Sequence, residues 1–150
     1  MNSWFDWLDN NLVYFSKKIF PGLARVAIFV IFFWFGALKI FNLSPAGPLV
    51  ETLVSATTLG VPFASFYILF GLYEMAIGAA FLIPGLERIA ILLLLPHMIA
   101  AALPLIFLPA ISWSGFLIPT LEGQYIIKNI AIVALAAGIG ARLHVVKKAE

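Results

Sequence analysis

Apolar residues fill four long stretches of the chain, at about 23–43, 63–83, 88–108 and 124–143. Each matches the roughly 20-residue helix that crosses a bilayer core of about 30 Å. The breaks between them are well marked. Ser44-Pro45-Ala46-Gly47-Pro48 ends the first, Pro84-Gly85 ends the second, and the segment from Pro109 to Gly123 separates the third from the fourth. In lipid the backbone must satisfy its own hydrogen bonds, which leaves helices or a closed barrel, and no alternating strand pattern suits a barrel. The pattern predicts an all-α fold, a four-helix transmembrane bundle forming one domain over 1–150.

Two shorter segments carry periodic patterns of their own. Trp4, Phe5, Leu8, Leu12, Phe15 and Ile19 recur at helical spacing, with Asp6, Asp9, Asn10 and Lys17 on the other face. This predicts an N-terminal interfacial amphipathic helix over 1–22, with Pro21 and Gly22 turning the chain into the bilayer. The early aspartates and late lysines do not read as a cleaved signal peptide. Residues 48–58 predict a short helix with proline in its first turn, either interfacial or shallowly re-entrant. Trp113 and Tyr125 flank the last connection at the level of an aromatic belt.

Composition strengthens the membrane reading. Of 150 residues, 63% are apolar and only 11% charged, and the mean hydropathy is +1.08. A soluble domain needs about a quarter charged residues to solvate its surface. The chain has no cysteine, which excludes a disulfide framework, a thiolate metal site and a dithiol relay. The net charge of +2 comes from basic residues near the span ends, which fits topology better than nucleic-acid binding. Lys17, Lys18 and Arg25, then Arg88, then Arg142, Lys147 and Lys148 all fall on one side of a four-span arrangement. The connections 44–62 and 109–123 hold no Lys or Arg. The expected topology is a multi-pass protein of the inner (plasma) membrane with both termini cytoplasmic.

An ionisable side chain at mid-membrane costs roughly 2.5–3.5 kcal/mol on insertion scales, so those present need a reason. The candidates are Lys39, Glu74, His97 and Lys128, with Glu122, Gln124 and Asn129 nearby. At a rise of about 1.5 Å per residue, Lys39 and Lys128 lie roughly 6 Å below the outer edge, and Glu74 and His97 roughly 16 Å down. Glu74 shares a face with Gly71 and Gly78, and His97 with Ala100, Ala101 and Pro104. Gln124, Lys128, Ala131, Leu135, Gly138 and Arg142 form a comparable stripe on the fourth span. Small-residue faces let helices approach closely, so these polar groups are expected to point inward. Both lysines are within snorkelling reach of the interface. Glu74 reads as a structural partner, a proton carrier or a ligand contact. His97 reads as a polar group at the Pro96 kink, a quinone or substrate contact, or a proton relay with Glu74. His144 lies too far from the depth of His97 for a bis-histidine haem, and no metal site is indicated.

Three segments add a resemblance. Phe-Trp-Phe-Gly-Ala-Leu-Lys at 33–39, Gly-Leu-Tyr-Glu-Met-Ala-Ile-Gly at 71–78 and Glu-Gly-Gln-Tyr-Ile-Ile-Lys-Asn at 122–129 resemble, in order and spacing, the DoxX-like superfamily of four-helix membrane proteins. The branch nearest in pattern contains the bacterial reactive-chlorine-resistance membrane protein. The resemblance implies a redox or oxidative-stress association, either through a bound quinone-like or amphipathic ligand or as the membrane subunit of an oxidoreductase. The ligand site would then comprise Lys39, Glu74, His97, Glu122, Lys128 and Asn129. Partners would be the bilayer, a redox protein and, in a homo-oligomer, a second copy. A small-solute or proton transporter and a non-catalytic scaffold or assembly factor are the alternatives.

Overall fold

A computed structural model describes residues 3–57 and 61–144; Lys147 and Lys148 of the expected basic flank, and Thr58 of the expected short helix, lie outside them. Helix α1 runs over Ser3–Ile40, α2 over Gly47–Thr57, α3 over Phe63–Leu82 and α4 over Glu87–Ala102. Two single turns follow, α5 at Pro104–Phe107 and α6 at Pro109–Ser112. A two-stranded hairpin of β1 (Trp113–Gly115) and β2 (Ile118–Pro119) leads to α7 (Leu121–Lys128) and α8 (Ile130–Gly140). Among the described residues, four segments are long and apolar enough to cross a membrane: Trp4–Ile40, Phe63–Leu82, Glu87–Phe107 and Leu121–Gly140. The chain is a multi-pass membrane protein built as an all-α four-helix bundle.

The core is a cluster drawn from all four spans. Ile28 and Phe32 of α1, Ile77 and Phe81 of α3, Leu94 of α4 and Ala136 of α8 are among its fully covered members. The closest pairing is between α1 and α3, and glycine makes it possible. A Cβ on Gly36 would stand 2.5 Å from the Gly71 carbonyl, and one on Gly71 would stand 2.7 Å from the Gly36 carbonyl. Two helical turns along α3 from Gly71, Gly78 faces α1 in the same way, its Cβ position 2.9 Å from the Phe33 backbone nitrogen. Close backbone approach of this kind is how helices associate where lipid supplies no hydrophobic drive.

The expected boundary at Pro21-Gly22 is absent: α1 continues through both residues as one 38-residue helix. Proline deletes the N–H that would bond the carbonyl four residues back, here that of Lys17. Arg142 replaces it. Its Nη2 donates to the Lys17 carbonyl at 3.0 Å, and its guanidinium lies over the Phe20 ring at 5.5 Å. Phe20 in turn packs on Gly138, where a Cβ would stand 2.6 Å from the ring. Arg142→Met should therefore lower stability by about 1 kcal/mol, the net worth of one such hydrogen bond. In a Pro21→Ala background the restored N–H should serve Lys17, and the same change should cost much less. Unfolding of the four variants in detergent checks this, and equal losses in both backgrounds would refute the capping role.

The end of the bundle at the connection between the third and fourth spans is held by side chains bonded to backbone. Ser112 Oγ donates to the Pro104 carbonyl at 2.9 Å, Trp113 Nε1 to the Leu105 carbonyl at 2.9 Å, and Thr120 Oγ1 to the Ile111 carbonyl at 2.6 Å. Thr120 Oγ1 also accepts from the Gly123 N–H at 3.1 Å, capping α7. Gly123 sits so tightly on Ser112 that a Cβ would fall 2.1 Å from the Ser112 carbonyl. At the opposite end Arg25 pairs with Glu87, and Arg88 donates to the His144 carbonyl. With Arg142 on Lys17, basic residues of three spans thus gather at one end of the bundle.

Candidate functional site

Lys39, Glu74 and His97 meet inside the bundle, one from each of α1, α3 and α4. Lys39 Nζ donates to Glu74 Oε2 at 2.6 Å, and His97 Nε2 stands 3.0 Å from Glu74 Oε1. The three residues are only 5%, 6% and 6% exposed. The glycine contact sets this up. Lys39 lies beside Gly71, one turn from Glu74, so its stem runs along α3 to the carboxylate. Lys39 therefore does not snorkel to the interface. It is turned inward as one half of a buried pair.

Aromatic rings wall the cluster. Phe70 lies parallel to the His97 ring at 5.1 Å and Phe32 meets it edge-on at 5.0 Å. Lys39 Nζ sits 5.5 Å over the Phe70 face, a cation–π contact that adds to its pairing. Tyr73 donates its hydroxyl to the Leu93 carbonyl at 2.5 Å, next to the Leu92 carbonyl that Pro96 deprives of its partner.

Hydrogen-bond roles follow from the partners. An ionised carboxylate accepts only, and a neutral imidazole has one donor and one acceptor nitrogen. Glu74 takes Lys39 on one oxygen, so the His97 nitrogen facing the other oxygen carries the hydrogen. In the neutral ring Nδ1 is then the acceptor, and it is buried without a hydrogen-bond partner among the described residues. The Tyr67 hydroxyl, two turns from Glu74 on the same face of α3, is the other orphan of this kind. Buried polar atoms are normally paired, so both mark places where a further group is wanted.

The remaining expected site residues do not join the cluster. Lys128 is exposed and lies 5.1 Å over the Tyr125 ring, Glu122 is exposed in the first turn of α7, and Asn129 is half-buried between α7 and α8. The buried residues of the fourth span are Gly123 on α7 and Ile132, Ala136 and Ile139 on α8; of the expected stripe, Leu135 and Gly138 pack into the bundle while Gln124, Lys128 and Ala131 are exposed. The span is broken at Asn129 into α7 and α8, and on α7 it is Gly123, seated on Ser112, that is buried. Tyr67, Phe70 and Tyr73 were not singled out by sequence. Their spacing from Glu74 was the available signal for Tyr67 and Phe70, at i−7 and i−4 on its face.

No group of three His, Asp or Glu able to hold a metal occurs among the described residues. Two shallow open grooves, each about 370 Å³, lie along the exposed surface of α1 and not at the cluster. Comparison with family models, curated proteins and solved structures gives no match for the chain.

Proposed function

We propose that the chain is a redox-associated protein of the inner membrane, whose Lys39–Glu74–His97 cluster exchanges protons with a small amphipathic ligand of quinone type or on behalf of an oxidoreductase partner. The carrying observation is the His97 ring, held by Glu74 through Nε2 and left with a buried, unpartnered Nδ1. A quinone-type ligand carries two electrons and two protons between its oxidised and reduced forms. Nδ1 is placed to accept a hydrogen from a hydroxyl, and Nε2 can pass its own to Glu74. Lys39 holds the counter-charge throughout, and the Phe32 and Phe70 rings exclude water. The resemblance of the three segments to DoxX-like proteins agrees with this reading. The gathering of Lys17, Lys18, Arg25, Arg88 and Arg142 at one end supports cytoplasmic termini.

A second reading has its own observation. Both Glu74 oxygens are taken and neither of the two grooves along α1 reaches the cluster, as a structural clasp in a membrane scaffold would require. Titration of the protein in nanodiscs with a short-chain benzoquinol separates the two. Saturable binding is expected, weakened at least ~tenfold in Glu74→Gln and His97→Phe, the worth of one or two hydrogen bonds. Absent binding, or binding that both variants keep unchanged, would leave the clasp as the answer.

A further inference from the structure

The first nineteen residues carry a stripe that the bundle does not use. Phe5, Leu8, Leu12, Phe15 and Ile19 follow one another at steps of three, four, three and four, the spacing of coiled-coil a and d positions. Every described side chain from 4 to 19 is exposed, Phe5 at 61% and Leu12 at 65%. The segment is an uninterrupted continuation of α1, with the Arg142 bond to Lys17 holding its base in line. At about 1.5 Å per residue α1 is about 57 Å long, nearly twice a bilayer core.

We infer that this arm is a dimerisation element, pairing in parallel with the arm of a second copy of the chain. Three observations single out that occupant. First, the cleft at the arm, about 370 Å³, is lined by Phe5, Leu8, Asp9 and Leu12. These are positions i, i+3, i+4 and i+7, the four residues that form the hole for a partner's d-position knob, here the Leu8 of the second copy. Second, the stripe runs without a break into the uncovered face of α1 along the spans. Leu23, Val26, Val30 and Phe41 are exposed, and at 3.6 residues per turn they fall in the same arc of roughly 80° as the arm residues. A second shallow groove, around Val30, Trp34 and Ala37, lies along this line. Third, two copies in one bilayer share an orientation, so their arms leave it side by side, and a two-fold axis along the membrane normal sets each seam residue against itself. The flanking positions raise no obstacle. Asp9 would face Trp4 of the other copy and Asn11 would face Ser16, so no like charges meet.

The absence of native cysteine makes the test direct. Leu8→Cys, Leu12→Cys and Asn10→Cys are each placed singly in the full chain, in native membranes, and oxidised. Seam residues of a parallel pair stand within the roughly 4.4–6.8 Å Cα separation a disulfide needs, and Asn10 on the back does not. Leu8→Cys and Leu12→Cys should shift from 16.4 kDa to twice that mass on a non-reducing gel, with Asn10→Cys staying at 16.4 kDa. The reconstituted native chain should run as a dimer, and Leu12→Asp as a monomer. Equal cross-linking at all three positions would overturn the proposal. So would no cross-linking with Leu8→Cys and Leu12→Cys shielded by lipid from a water-soluble thiol reagent, which would put the arm on the bilayer surface.

Discussion

Glu74→Leu is expected to destabilise the bundle by about 3–5 kcal/mol, the loss seen when one half of a buried ion pair goes and the other charge stays. Lys39 would keep its ammonium beside Phe70 with no anion, because its stem is fixed along Gly71 and it is only 5% exposed. His97 would lose the acceptor of its Nε2 hydrogen as well. Thermal unfolding in detergent should fall by on the order of 10 °C. Removing the whole cluster should be far milder. The triple change Lys39→Met, Glu74→Leu, His97→Phe leaves no charge to strand, and apolar replacement of a complete buried pair is often neutral or better. Equal instability of the single and triple variants would show that Glu74 is not there for its partners.

Gly36→Ala comes second in expected effect. The new methyl would sit 2.5 Å from the Gly71 carbonyl and 2.9 Å from the Met75 side chain. The methionine can move, but the carbonyl belongs to the facing helix backbone and cannot. Overpacking of this kind costs about 1–3 kcal/mol and occasionally more, and a rigid obstacle argues for the upper part of that range. Prying α1 from α3 would also draw Lys39 away from Glu74. Gly22→Ala is the control on the same helix, since nothing lies within 4 Å of its added Cβ. There the loss of backbone freedom in the unfolded chain should add up to ~1 kcal/mol of stability. Comparable losses from both substitutions would mean that close contact at Gly36 is not what matters.

The spans could be read from sequence to within a few residues, because Pro and Gly punctuate them and the apolar runs match the bilayer. Phe63–Leu82 and Glu87–Phe107 fall almost where hydropathy puts them. Pro21 was the misleading sign. Its broken hydrogen bond is repaired by an arginine 121 residues further along, which no local pattern contains. The depths of Glu74 and His97 led correctly to their meeting. Lys39 was placed at a shallower level because a Cα count ignores the reach of a four-carbon stem. Lys128 has the same depth by that count, yet is exposed over the Tyr125 ring, because on α7 it is Gly123 that seats against the bundle at Ser112. One span length specifies a helix; which face turns inward depends on pairs of residues far apart in sequence.

Lys39 and Glu74 belong to the first and second spans, only 35 residues apart. During synthesis the amine therefore waits for its carboxylate no longer than the next hydrophobic segment takes to emerge. The two spans can leave the insertion machinery as a preassembled hairpin, glycine faces together, with their charges already matched. His97 lies on the third span and so emerges after both members of that pair.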